Sequence, residues 1–225
     1  MKLAILIPSK GEIKTRTVDC LLQTFALLIK NNIEMRIIFS EGTLVTHVRN
    51  SLLEKVRDDK GITHAIFIDS DMIWQPQWIL EMVKSDKDCV SGVALCRGRE
   101  TPNIFKFVTR EQLYATINVK KEDTGIIEID SAGMSFFMFR REVMDKLFVN
   151  KKIIQDYFMQ QEQNVSSAIV KKAFHVLGID EGIFNSIGLK SEDIIFCESI
   201  RDAGYKIYAN LDYKLGHIIE KALDF

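Results

Sequence analysis

The sequence predicts an α/β protein: a mostly parallel sheet flanked by helices, followed by a smaller antiparallel region. Two observations lead there. Four short apolar runs alternate with three stretches of helical periodicity before Arg97, and beyond it strand-like runs follow one another without helices between them. The length, 225 residues with 47% hydrophobic and 27% charged content, suits one sizeable core.

The elements follow in order. Residues 2–7 (K-L-A-I-L-I) read as a buried parallel strand ended by Pro8. Val18, Leu21, Leu22, Phe25, Leu28 and Ile29 recur at helical spacing, and Asn31-Asn32 ends that helix. Residues 34–39 form a second strand before a turn at Glu41-Gly42. Val48, Leu52, Leu53 and Val56 mark the inner face of a second helix, closed by Lys60-Gly61. Residues 64–68 (H-A-I-F-I) form a third strand. Pro76 opens a third helix with Trp78, Ile79, Met82 and Val83 inward. A fourth strand spans 89–95.

After Arg97 the spacing predicts strands at 104–108, 113–119, 125–130 and 135–139, then a helix over 141–148. Residues 150–190 carry the weakest pattern, with a helix expected over 165–177. A helix over 192–203, capped by Gly204, precedes a last strand at 205–209.

Composition narrows the function. Thirty basic and 31 acidic residues leave a net charge of −1, too little to steer the chain onto nucleic acid. Cys20, Cys89, Cys96 and Cys197 form no C-x-x-C pair and no zinc spacing, which predicts reduced, mostly buried thiols in a cytoplasmic setting. The opening MKLAILIPSKGE has too short an apolar run for a signal peptide, and no window is long and apolar enough to span a membrane.

Asp69-Ser70-Asp71 follows the third strand directly. Ligands of open parallel sheets bind beyond the carboxyl ends of strands. Two carboxylates there repel each other unless a cation lies between them, and a hard divalent ion suits both carboxylates and substrate phosphates. The plain alternative is a pair of turn or cap aspartates. Glu192 and Asp193 open a helix whose dipole favours anions, either as the base of a proton transfer or as first-turn acids behind Ser191.

I-F-I-D-S-D-M-I-W resembles the D-x-D segment of the glycosyltransferase-A fold, a Rossmann-like, nucleotide-diphospho-sugar transferase architecture. Ile7-Pro8-Ser9 resembles that fold's first strand end, His47-Val48-Arg49-Asn50-Ser51 the R-N segment of family-2-like microbial and viral members, and Ser191 to Cys197 their E-D segment. Gly216-His217 resembles the late histidine that completes the metal site. The resemblance spans residues 3–217 and leaves 150–190 unmatched.

The resemblance implies one domain over 1–225: a nucleotide-sugar-binding half at 1–98 and an acceptor-side half at 99–225 with a variable insertion at 150–190. It implies a metal-dependent glycosyltransferase that uses Mn2+ or Mg2+ and a nucleotide-diphosphate sugar. Asp71 would ligate the metal and His217 would be a further ligand. Asp69 would contact ribose or sugar, or ligate through water. Pro8, Ser9 and Glu41 would shape the base pocket, with Ser70 beside them. Arg49 would neutralise phosphate or hold an aspartate, and Asn50 would orient a loop or the donor. Gly133 would permit close backbone approach. Asp193 would be the base of an inverting transfer, with Glu192 beside it; under retention the pair would bind acceptor hydroxyls. The acceptor stays open among a glycan, a protein, a lipid-linked sugar and a modified nucleobase.

Three alternatives compete. A nucleotidyltransferase needs a Gly-rich basic loop after the first strand, whereas P-S-K-G-E-I-K-T has one glycine. A D-x-D phosphatase places its nucleophile on the first strand. An inactive glycan-binding module would not need the D-x-D, the E-D and His217 together.

Overall fold

The computed structural model describes residues 1–96, 101–108, 113–161, 183–184 and 190–218, without the side chains of 113 and 153–161. The first strand, β1 (Lys2–Ser9), shows how the sheet is built: Leu3, Ile5 and Ile7 enter one core and Ala4 and Leu6 the other, all fully buried. A strand buried on both faces is a continuous apolar run. It continues two residues past the expected end, because Pro8 and Ser9 still pair with Ser40 and Glu41 of β2 (Glu34–Glu41).

Helix α1 (Thr15–Lys30) joins these strands, and α2 (Val45–Asp58) leads to β3 (His64–Ile68). A two-residue strand, β4 (Met72–Ile73), precedes α3 (Pro76–Lys84) and β5 (Cys89–Val93). Then come β6 (Ile104–Val108), β7 (Leu113–Thr116), β8 (Ile126–Ile129), β9 (Ser131–Ala132) and β10 (Phe136–Arg140). The chain continues through α4 (Arg141–Gln161), α5 (Glu192–Asp202), β11 (Ile207–Lys214) and β12 (Gly216–His217).

Seven strands form the main sheet in the order β2-β1-β3-β10-β5-β11-β8. β1 lies parallel to both β2 and β3, and β5 parallel to β11. β10 is antiparallel to both its neighbours, β3 and β5. The predicted mostly parallel sheet is therefore present, with an antiparallel strand, β10, set between β3 and β5. The F-F-M-F run supplies the intervening strand, since Phe137 and Phe139 enter the core that α2 and α5 cover, and Phe136 and Met138 enter the other. β6, β7 and β9 form the smaller antiparallel sheet.

Helix α2 buries Val48, Leu52, Leu53 and Val56, the expected face. Helix α1 is rotated from expectation. It buries Thr17, Cys20, Leu21, Thr24 and Leu28, and leaves Val18, Leu22, Phe25 and Ile29 exposed. Hydrogen bonds explain the rotation. Thr17 Oγ1 donates to the Met72 carbonyl, Thr24 Oγ1 donates to the Cys20 carbonyl, and Trp74 Nε1 donates to Thr24 Oγ1. Satisfied hydroxyls make a threonine face buriable.

Helix α4 runs well past the expected end at 148, and the last strand, β11, runs past 209 to Lys214. Gly204 caps α5 in the left-handed region, at φ 91°. The helix expected over 165–177 lies outside the described residues.

Candidate functional site

Because β2 and β3 flank β1 on opposite sides, the chain reverses direction across the sheet at β1. That arrangement opens a crevice beyond the strand ends. A cavity of about 840 Å³ sits there. Pro8, Ser9, Arg49, Asp69, Ser70, Asp71, Gly133, Asp193 and His217, drawn from six separate stretches of sequence, all line it.

Backbone hydrogen bonds fix the turn after β3. Asp69 N donates to the Ser135 carbonyl, Lys14 N to the Ser70 carbonyl and Met72 N to the Asp69 carbonyl. β4 then pairs antiparallel with β12, His217 opposite Met72, and Ile218 N donates to the Asp71 carbonyl. This places His217 Nε2 3.1 Å from Asp71 Oδ2. Asp71 is 7% exposed, so a buried carboxylate meets a partly exposed imidazole.

Asp69 is not gathered with that pair. Its Oδ1 lies 3.6 Å from Arg49 Nη2. Among the described residues no three His, Cys, Asp or Glu side chains assemble into a metal-holding group. The three expected ligands thus separate into a close pair, Asp71 and His217, and a carboxylate engaged elsewhere.

Arg49 is 4% exposed on α2. Its Nη1 donates to Glu192 Oε1 at 2.9 Å and, by a shorter contact, to Asp193 Oδ1. Burial pushes the Asp193 carboxyl up to about 6; Glu192 and Asp69 add to the rise, while Arg49 and the Met134 amide oppose it. Asp193 lies on the cavity wall.

Glu192, Glu41 and Asn50 do not line the cavity. Glu192 stands beside Arg49. Glu41 ends β2 opposite Ser9, and its carboxylate lies against Gly11. The Asn50 amide grips the chain at Ile183-Phe184. Trp74 and Trp78 also stay out of the cavity: Trp74 is buried near Phe136, and Trp78 stacks on Tyr213. Arg97 and Arg99 lie outside the described residues.

Gly133 lines the cavity, and a Cβ there would sit 3.0 Å from Asn103 Nδ2. The close approach expected of this glycine is thus to another side chain of the protein. Asn103 is a buried residue that sequence reasoning missed. Its Oδ1 accepts from Ala94 N and its Nδ2 donates to Ser135 Oγ, tying the cavity floor together. Lys10 and Lys14 also line the cavity unforeseen. An isolated asparagine or lysine in a loop carries no periodicity that would single it out.

The family model described as Glycosyl transferase family 2 matches residues 7–148, from the end of β1 into α4 and across the Asp69-Ser70-Asp71 turn. The chain belongs to glycosyl transferase family 2. This family-2 enzyme has the glycosyltransferase-A fold, and solved structures resemble it over nearly its whole length. A197 from STIV covers 98% of this chain and 87% of its own at 17% identity, with a TM-score of 0.57. A mutant Drosophila β-1,4-galactosyltransferase 7, in complex with manganese, UDP-Gal and xylobiose, covers 97% and 71% at 12% identity, TM-score 0.54. GalNAc-T7 with UDP, GalNAc and Mn2+ covers 98% of this glycosyltransferase and 44% of its own chain at 10% identity, TM-score 0.57. No curated protein matches the sequence. No described helix of the enzyme is long and apolar enough to cross a membrane.

Proposed function

We propose that this glycosyltransferase is metal-dependent and moves a sugar from a nucleotide-diphosphate sugar to an acceptor hydroxyl. The observation that carries the reading is the meeting of Asp71 and His217 in the cavity at the β1 and β3 ends. One carboxylate oxygen and one imidazole nitrogen suit Mn2+ or Mg2+, and two protein ligands leave coordination positions for phosphate oxygens and water. Bound there, such an ion would offset the negative charge that collects on the leaving diphosphate. Manganese and UDP or a UDP-sugar accompany two of the similar structures, which supports the same donor class here.

The chain's own residues supply the rest. Pro8, Ser9 and Ser70 shape the donor end of the cavity. Asp193 takes the proton from the acceptor hydroxyl, and its raised affinity for protons suits a general base working near neutrality. Glu192 and Asp69 hold Arg49 in place. The whole chain acts as one domain, with a donor half at 1–98 and an acceptor half at 99–225. All four cysteines are unpaired, which fits a cytoplasmic enzyme.

The test is a donor panel. Common nucleotide sugars are incubated with the protein and manganese, and release of free nucleoside diphosphate is scored. One donor should be hydrolysed, and chelation should abolish the release. Absence of metal-dependent release from every donor, together with no manganese-dependent binding of UDP or GDP by calorimetry, would overturn the reading.

A further inference from the structure

Two consecutive residues of α2 grip three distant parts of the chain. The Arg49 guanidinium reaches Asp69 at the end of β3 and both Glu192 and Asp193 at the start of α5. Its Cζ lies 5.6 Å from the centroid of the Phe184 ring. Asn50 holds the backbone of the same segment: Nδ2 donates to the Phe184 carbonyl at 2.8 Å, and Oδ1 accepts from Ile183 N and Phe184 N at 2.9 Å each.

A phosphate-binding arginine presents an available fork to the ligand. Here Nη1 is committed to two carboxylates and Nη2 faces a third, so one cation is outnumbered three to one. Such a group has little charge left to offer a diphosphate. Its planar fork spreads its donors over separate nitrogens and so holds carboxylates at a fixed spacing, whereas a lysine ammonium is a compact point charge on a flexible stem.

We propose that Arg49 is a positioning residue. It ties the donor-side carboxylate Asp69 to the acceptor-side carboxylate Asp193 and so sets where the base stands relative to the donor, with Asn50 bracing the segment against which it packs. The role rests on the function proposed above, in which Asp193 handles the proton. A displacement of about 1 Å in such a group costs on the order of 100-fold in turnover.

The experiment compares the unsubstituted protein with Arg49→Lys and Arg49→Ala. Calorimetry measures UDP binding with manganese, and steady-state kinetics follow hydrolysis of the donor found by the panel. Hydrogen exchange follows residues 69–72 and 191–195. For Arg49→Lys, UDP affinity and KM should stay within about threefold, while kcat falls by roughly 30- to 100-fold. Millimolar guanidinium should restore much of the lost rate to Arg49→Ala, and methylammonium should not. Exchange should quicken in both segments together.

A tenfold loss of UDP affinity with kcat unchanged would make Arg49 a phosphate ligand and overturn the proposal. So would faster exchange in only one segment, or in neither. Should the unsubstituted protein bind no nucleotide, the proposed function fails, and the exchange data still decide whether Arg49 links the two carboxylate groups. If Arg49→Ala does not fold, Arg49→Lys carries the test.

Discussion

The two walls of the cavity are held by different means. On the donor side, Asp71 and His217 are set by main-chain hydrogen bonds of the β4–β12 pair, through Ile218 N to the Asp71 carbonyl and the His217–Met72 register. On the acceptor side, Ser191 makes no side-chain cap, and the α5 start is held through the Arg49 contacts to Glu192 and Asp193. Farther along α5, Glu198 accepts from Tyr114 Oη, and Arg201 donates to Tyr114 Oη and contacts Asp130. A backbone frame keeps its shape when a side chain is removed. A frame of side chains does not. Donor-side substitutions should therefore remove chemistry and spare the fold, whereas acceptor-side substitutions should alter both.

The largest expected effect is on the donor side. Asp71→Ala should lower metal-dependent turnover by about 1000-fold or more, since several kcal/mol of charge stabilisation go with the ion. Its melting temperature should fall only by about 2–4 °C, the equivalent of one hydrogen bond in a chain of this size. A large loss of stability with activity preserved would break the comparison.

Next is Asp193→Asn, with turnover expected to fall by about 100- to 1000-fold. Because the folded carboxyl titrates near 6, above its ordinary 3.8, its contribution to stability is fullest at low pH and declines as pH rises through that window. At pH 8 that contribution is gone, so the stability the variant loses there reports the weakened Arg49 contact. Under the proposed function the ionised form is the working base, so kcat/KM should climb as pH rises through about 6 and then level off. A flat profile from pH 5 to pH 8 would remove Asp193 from the proton transfer.

The smallest effect sharpens the comparison at the floor between the walls. Gly133→Ala would press a methyl against Asn103, so it should cost about 1–3 kcal/mol by thermal unfolding. No change in stability would show that Asn103 can yield and does not tie the floor.

Much of this architecture was legible in the residues. β1 and β3 announced themselves as uninterrupted apolar runs, and α2 as four residues at helical spacing. The turn carboxylates and the late histidine were legible as residues worth following, because polar side chains at the end of a buried strand need a reason to be there, and the fold brings them to one cavity. Three things were not. The slot of β10 between β3 and β5 depends on long-range pairing, which no local pattern encodes. The rotation of α1 came from threonine hydroxyls finding partners, so of the apolar stripe only Leu21 and Leu28 are buried. Arg49 stayed open between a phosphate contact and a hold on an aspartate, because its three carboxylate partners are 20 to 144 positions away in sequence.

The central claim is that Asp71 and His217 share a divalent ion beside the donor diphosphate. Anomalous scattering from crystals grown with manganese and UDP tests it most directly. The account expects a manganese peak within coordination distance of both Asp71 Oδ2 and His217 Nε2, with diphosphate oxygens completing its shell. Ordered UDP with no manganese at that pair, or manganese held by other residues, would contradict it.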